Sequence, residues 1–266
     1  MLQDARLNEI IKLVEEKGAV KVADLATYFQ TSRSTIRRNL QYLASINRIN
    51  KVPGGATALN YTGNINFDVV DKDYFFREQE HNDKKVLIAK RAAQFITDGA
   101  AVYLDSSTSV AAMIDFLPKT NKVYYVTNSS KIAHKLANKG IKAFVTGGEL
   151  KLTTDAYTGG YALEFLDKFN FTMGFFGTNG IHSQAQFTTP DPVEAAIKKK
   201  AISKTYKVYI LADSSKFNNI GSVTFAKLNE ATLITDKAPK EYKDQMKIID
   251  LSEEKAKEEA AKKESK

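Results

Sequence analysis

The chain has 266 residues, 43% apolar and 26% charged, which excludes a wholly disordered, collagen-like or fibrous polymer. It has no cysteine, hence no disulfide or thiolate chemistry, and no apolar run of about 18 residues that would cross a membrane. The net charge of +8 is unevenly placed: residues 25–67 hold Arg33, Arg37, Arg38, Arg48 and Lys51 without one carboxylate, giving +5. An acid-free stretch between Asp24 and Asp68 is suited to a polyanion. The first ten residues mix charges from the start and lack the apolar centre of a secretory leader, so a cytoplasmic location is expected.

In chain order, Leu7, Ile10, Ile11 and Val14 recur at helical spacing, so residues 4–17 are expected to form a helix stopped by Gly18. Val22, Leu25, Ala26 and Phe29 make a second, shorter amphipathic element. Thr31 or Ser32 offers an N-cap hydroxyl to a third helix, buried through Ile36, Leu40 and Leu43 and stopped at Asn47. At about 100° per residue from Ile36, the side chains of Ser34, Arg37, Arg38 and Gln41 fall on its outward side. Arginines, a hydroxyl and an amide are the groups that read base edges and hold phosphates in a major groove. Ser32, Arg33 and Thr35, in the first turn, belong to the same candidate surface. Residues 48–52, a turn at Pro53-Gly54-Gly55 and residues 56–59 read as a two-stranded wing that brings Lys51, Gly54 and Gly55 to the neighbouring nucleic-acid backbone. Residues 1–59 therefore read as a winged helix-turn-helix, against the alternative of a generic three-helix domain with a solvated basic face.

Residues 60–80 show little periodicity and suit a linker or docking segment. From Lys84 onward helices are expected at 86–95, 110–117, 132–138 and 193–203. Strands are expected at 100–104, 122–126, 141–145, 171–176 and 207–211. That alternation predicts a mostly parallel sheet covered on both faces over residues 81–251. The strands end in Asp105-Ser106-Ser107-Thr108-Ser109, Thr127-Asn128-Ser129-Ser130, Thr146-Gly147-Gly148, Gly177-Thr178-Asn179-Gly180 and Ala212-Asp213-Ser214-Ser215-Lys216. Ligands of open α/β sheets bind at such strand ends. Loops rich in hydroxyls, amides and glycines, with Lys198 and Lys216 adding positive charge, call for a phosphate on a polyhydroxylated body. Taken singly, each loop is an ordinary capped helix start. Residues 252–266, with five Lys and five Glu, form a low-complexity charged tail of no net charge.

Several of these blocks resemble one family. Val22-Ala23-Asp24-Leu25-Ala26, the run from Thr31 to Leu40 and Gly54-Gly55-Ala56 resemble the N-terminal signature of the DeoR family of bacterial transcription regulators. Leu104-Asp105-Ser106-Ser107-Thr108 is similar to the family's LDSGTT-type loop and Val126-Thr127-Asn128-Ser129 to its TNS loop. Gly147-Gly148-Glu149, Gly177-Thr178-Asn179-Gly180 and the run from Leu211 to Phe217 follow in family order, so the resemblance spans roughly residues 6–236. It implies a winged helix-turn-helix followed by an α/β sugar-phosphate sensor with a fold related to ribose-5-phosphate isomerase. It also implies a repressor of sugar-metabolism genes that binds double-stranded operator DNA as a homo-oligomer, dimer or tetramer, without cofactor, metal or membrane.

The chain departs from the family pattern in two places. Asn39 stands where the family usually has aspartate, near the buried side of its helix, so little effect on base reading is expected. The family's glycine in the first sensor loop is Ser106 or Ser107 here, and its second threonine is Ser109, which keeps hydroxyls on a less free backbone. The segment from Phe187 to Lys198 opens a helix with Pro-rich, acid-containing chemistry and is expected to border the sugar site. Its Phe187-Thr188-Thr189-Pro190-Asp191 run is similar to family members that respond to fructose 1-phosphate, which makes that sugar the expected effector.

The rival reading is a sugar-phosphate isomerase-like enzyme with an accessory N-terminal domain. Such an enzyme needs a carboxylate base beside the reacting carbon. Residues 177–180 contain no acid, and Asp105 and Asp213, the carboxylates expected nearest the site, read as loop braces. His81, His134 and His182 lie too far apart for a metal-spacing motif. The residues favour a binding domain without catalytic groups.

Overall fold

In the computed structural model, which describes residues 3–46, 48–52, 54–58, 66–68, 73–118, 120 and 122–256, the chain divides into two units, residues 1–65 and 66–266. The first contains α1 (Gln3–Lys17), β1 (Ala19–Lys21), α2 (Val22–Tyr28), α3 (Arg33–Ser45), β2 (Asn50–Val52) and β3 (Gly55–Thr57). The apolar stripes expected on the three helices meet in one core: Leu7, Ile10, Ile11 and Val14 against Val22, Leu25, Ile36, Leu40 and Leu43. Leu40 is 1% exposed, so Leu40→Ala would cost about 2–5 kcal/mol, a large share of a small unit's stability.

The wing differs from expectation. It is a three-stranded antiparallel sheet in the order β1-β3-β2, not a two-stranded ribbon. Three residues are too short for β1 to display a period, so only the pairing reveals it. At Gly55 a Cβ would lie 2.0 Å from the Val20 carbonyl oxygen, so β3 can approach β1 only with glycine there. The expected helix stop at Asn47 and the wing residues Pro53 and Leu59 lie outside the described residues.

The second unit opens with β4 (Asn66–Asp68), α4 (Tyr74–Gln79), α5 (Asn82–Ala93), β5 (Ala101–Leu104), α6 (Thr108–Ala111), β6 (Tyr124–Thr127), α7 (Ser130–Asn138) and β7 (Ala143–Val145). It continues with β8 (Glu149–Lys151), β9 (Ala156–Thr158), α8 (Gly160–Asp167), β10 (Phe171–Gly177), β11 (Gly180–His182), β12 (Gln186–Thr189) and α9 (Pro192–Ser203). It closes with β13 (Thr205–Leu211), β14 (Asn219–Gly221), β15 (Val223–Ala226), β16 (Thr232–Thr235) and β17 (Lys247–Asp250). Residues 251–256 are helical, and the rest of the charged tail lies outside the described residues.

Seven strands form one parallel sheet in the order β17-β16-β13-β10-β5-β6-β7. Alternate residues feed two cores. Tyr103, Val126, Phe176, Ile210 and Leu233 enter one, and Leu104, Tyr125, Phe175, Leu211 and Ile234 the other, which is what a sheet covered on both faces requires. From β5 the chain builds outward through β6 and β7, and from β10 it builds the other way through β13, β16 and β17. The gap between the carboxyl ends of β5 and β10 is therefore the topological switch point, where an open α/β sheet leaves a crevice.

The segment expected as a linker supplies two elements to this unit. β4 pairs in parallel with β14, and Tyr74 of α4, 2% exposed, packs into the core with Ile88 and Ala89.

Candidate functional site

On α3, Ser32 starts the helix: its Oγ accepts from the Thr35 backbone N–H at 3.1 Å and lies 2.8 Å from Ser34 Oγ. Arg33, Ser34, Arg37, Arg38 and Gln41 are all exposed, and Thr35 is half-buried. Among the described residues no carboxylate pairs with Arg33, Arg37 or Arg38, which leaves three guanidinium groups available to an anion. Lys51 of β2 donates to Gln41 Oε1, joining the wing to the end of the same face. Gly54 makes the wing's turn at φ +82°. Asn39 is 5% exposed, with its amide turned so that the oxygen accepts from Arg6 Nε at 2.9 Å and the nitrogen donates to the Thr35 carbonyl at 3.3 Å. It fastens α1 to α3 and takes no part in the outward face. Tyr42, 53% exposed on α3, belongs to that surface and was not singled out from the sequence.

In the second unit a small cleft, open to solvent, lies at the switch point. Ser106, Ser107, Thr108 and Ser109 line it from the β5 loop and Thr178 and Asn179 from the β10 loop, with Lys198 of α9 and Lys216 after β13. The two loops touch because residue 177 is glycine: a Cβ there would lie 2.2 Å from Ser107 Cβ. Ser107 also caps α6, accepting from Val110 N–H at 3.2 Å. This helix has four residues before it tightens into a 3-10 turn over Ala112–Phe116, so the helix expected at 110–117 is mostly of the tighter kind.

Lys198 is committed within the protein. Its ammonium forms a buried ion pair with Asp105 Oδ2 and donates to the Gly177 carbonyl at 3.1 Å. Asp105 Oδ2 also accepts from Gly177 N–H at 3.0 Å. Asp105 therefore braces the cleft floor and does not line the cleft. Asp213 caps the 3-10 turn Ser214–Lys216 by accepting from Ser215 N–H at 2.9 Å, which presents Lys216. Burial pushes the Asp213 carboxyl up, but Ser215 and the Lys216 charge outweigh it and hold the pKa below its ordinary value.

The β6 and β7 loops do not line this cleft. Thr127, Asn128 and Ser129 are at most 1% exposed and hold the sheet edge together. Thr127 Oγ1 donates to the Leu104 carbonyl at 2.7 Å, Asn128 Oδ1 accepts from the Tyr103 hydroxyl at 2.9 Å, and Ser129 caps α7 by accepting from Ile132 N–H at 3.2 Å. Gly147 and Gly148 turn between β7 and β8 with φ +65° and +106°. Both loops follow strands on one side of the switch point, away from β10, which is why equal chemistry at successive strand ends does not converge.

Three charged residues that the sequence did not single out line the cleft, Arg77, Glu80 and Lys85, and Glu194 joins them from the helix start expected to border the site. Lys85 is 5% exposed and donates to the Arg77 carbonyl. Burial, then Lys216, push its pKa down to about 8, with Arg77 adding and Asp213 and Glu80 opposing. Glu194 is 6% exposed, and its Oε1 accepts from Lys151 Nζ at 2.9 Å and Thr154 Oγ1 at 2.5 Å. The expectation that Asp105 and Asp213 are the carboxylates nearest the site is thus corrected to Glu80 and Glu194. For Glu194 a signal existed: a charged pair at i, i+4 with Lys198 amid the buried Ala195, Ile197 and Ala201 of α9. The Phe187–Asp191 segment borders the cleft as well. Thr189 Oγ1 donates to Asn179 Oδ1 at 3.2 Å, and Asp191 caps α9 through Val193 and Glu194 N–H at 2.6 and 3.2 Å, with Pro192 in the first turn. A second, larger groove, lined by Asp98, Leu117, Lys122 and Ile141, lies at the opposite, amino-terminal ends of the strands, away from the switch point.

Comparison with known proteins matches residues 6–62 to the DeoR-like helix-turn-helix domain and residues 80–237 to the DeoR C terminal sensor domain. The chain is 38% identical to the uncharacterized HTH-type transcriptional regulator FruR of Bacillus subtilis, over 90% of this chain and 92% of that one. It is 32% identical to the HTH-type transcriptional regulator GlpR of Haloferax volcanii, over 89% and 91%. It is 28% identical to the glycerol-3-phosphate regulon repressor of Escherichia coli, over 90% and 92%. Among solved structures, ribose 5-phosphate isomerase A from Neisseria gonorrhoeae is similar at a TM-score of 0.38 and 18% identity, over 50% of this chain and 52% of that one. In the second unit, the α/β architecture rests on the sheet order itself.

Proposed function

The chain belongs to the DeoR family, carrying its helix-turn-helix and sensor domains in that order, and we propose that it is a DNA-binding repressor of sugar-metabolism genes modulated by a phosphorylated sugar. The observation that carries the effector half is the convergence of Ser106–Ser109, Thr178, Asn179 and Lys216 on one cleft with Arg77 and Lys85. Hydroxyls and an amide suit a polyol, and three adjoining cations suit a phosphate. Fructose 1-phosphate is the effector we favour. The Phe187–Asp191 segment that borders the cleft supports it. Two or more helix-turn-helix heads of a cytoplasmic homo-oligomer read spaced half-sites. A sugar phosphate that binds one arrangement of the sensor units better shifts the population and the half-site spacing with it.

The test is fluorescence anisotropy with DNA from the chain's own upstream region, over a salt series, with and without fructose 1-phosphate. Nanomolar binding that weakens steeply with salt and changes on adding the sugar phosphate is the expected result. Salt-independent binding, or none, rejects the DNA-reading half. Family membership supports binding over turnover, although Glu194 supplies the cleft with a carboxylate. An aldose–ketose turnover assay on the purified chain is expected to show no reaction.

A further inference from the structure

The charges of the cleft fall into two groups. Lys85 donates to the Arg77 carbonyl, and the charged groups bearing on it are Lys216, Asp213, Glu80 and Arg77. Glu194 lines the same cleft but is not in that set. It arrives on α9, one turn before Lys198, so both side chains leave the same face of the helix. Lys198 is consumed by Asp105 and the Gly177 carbonyl, so α9 offers the cleft no available cation beside Glu194.

Glu194 is also held in place. Oε1 is bound by Lys151 at the end of β8 and by Thr154 in the turn before β9, while Lys151 reaches Asp191 at 2.7 Å. Among the described residues Oε2 has no hydrogen-bond donor. Glu194 lines the cleft, and a fixed carboxylate with one oxygen lacking a donor among the described residues is an acceptor for hydroxyls. Lys151 is shared between Glu194 and Asp191, so the two carboxylates keep a net negative charge that opposes a second anionic group.

Resting on the sugar-phosphate reading above, we infer that Glu194 is the specificity-determining residue of the cleft. It accepts hydroxyl hydrogen bonds from the polyol end of a singly phosphorylated sugar and excludes bisphosphorylated sugars. Recognition divides accordingly: Lys85, Lys216 and Arg77 take the phosphate, and Glu194 takes the hydroxyls and rejects charge. Glu80, the other carboxylate lining the cleft, bears on Lys85 and so lies with the cations, which leaves Glu194 for the polyol end.

The experiment is calorimetric titration of the full chain near neutral pH with inorganic phosphate, fructose 1-phosphate and fructose 1,6-bisphosphate. Wild-type protein, Glu194→Gln and Glu194→Asp are compared. For Glu194→Gln, affinity for fructose 1-phosphate should fall about tenfold or more, since a charge-assisted acceptor becomes a neutral one. Inorganic phosphate should bind unchanged, and the bisphosphate should gain on the monophosphate. Glu194→Asp keeps the charge and should still exclude the bisphosphate; ligand-free melting of both variants separates lost recognition from lost folding. An equal loss for all three probes, or an unchanged ratio of monophosphate to bisphosphate affinity, overturns the inference while leaving the proposed function standing. Wild-type protein that binds none of the three overturns both.

Discussion

Asp105 and Lys198 form an ion pair beneath the cleft, with side chains 1% and 5% exposed. Through Gly177, whose N–H donates to Asp105 and whose carbonyl accepts from Lys198, the pair ties the end of β5 to the end of β10 and to α9. Removing one partner strands the other charge in an environment that excludes water. Asp105→Asn is therefore expected to cost about 3–5 kcal/mol in chemical denaturation. Combining it with Lys198→Met, which removes the stranded cation, should recover much of that loss. A double variant no more stable than the single one would mean that the pair is not the brace.

Gly177 is required for a steric reason that reaches the binding loops. A methyl group there would collide with Ser107 Cβ, which is attached to the backbone and cannot swing aside. Gly177→Ala should push residues 106–109 off the β10 end, destabilising the unit by about 1–3 kcal/mol and removing the phosphate-dependent rise in melting temperature. A variant that melts lower yet keeps the full phosphate response would show that the loops bind independently of their contact.

The readable parts of the chain were those with local period or local chemistry. Leu7 to Val14 and Ile36 to Leu43 announce their buried faces, and the outward side of α3 follows from the same geometry. The β5 and β10 loops were legible because hydroxyls, amides and glycines stand at strand ends. Pairing was not legible: β1, β4 and the β8–β9 hairpin have three-residue strands, and their partners lie far away in the chain or depend on turn geometry. Nor was strand order, and that order decides which loops meet at the switch point and leaves Thr127, Asn128 and Ser129 to bracing. Lys85 was not legible because a charged residue on an amphipathic helix looks solvent-facing until its face is known, and Glu194 was legible only as part of the helix start bordering the site.

Arg37 and Arg38 stand exposed on α3 without a carboxylate partner among the described residues. If both contact phosphates, each alanine substitution should lower the magnitude of the slope of log affinity against log salt by about 0.9. If one reads a base edge, its loss should cost about 1–3 kcal/mol on the cognate site and relax sequence preference. Anisotropy titrations on promoter and scrambled DNA separate the two. Affinity and slope both untouched in the double variant would remove α3 as the reading helix.

Lys85 gives the chain two pH dependences of opposite sign. Burial, with Lys216 next, brings its folded-state pKa from the ordinary 10.5 down to about 8. Between those values the unfolded chain holds the proton and the folded chain does not, so folding stability rises with pH across that window. Below pH about 8 the ammonium is charged in both states and the penalty for burying it is present in full. Phosphate binding runs the other way, because an anion beside Lys85 favours the ammonium. As pH climbs through about 8, binding must take up a proton, and the dissociation constant for inorganic phosphate should rise by up to about tenfold per unit. Lys85→Met should flatten the phosphate titration and abolish the gain in stability, which melting and calorimetry measured from neutral to alkaline pH will show. A wild-type profile that is flat in binding would place the phosphate away from Lys85, and Lys216 would then be the cation to vary.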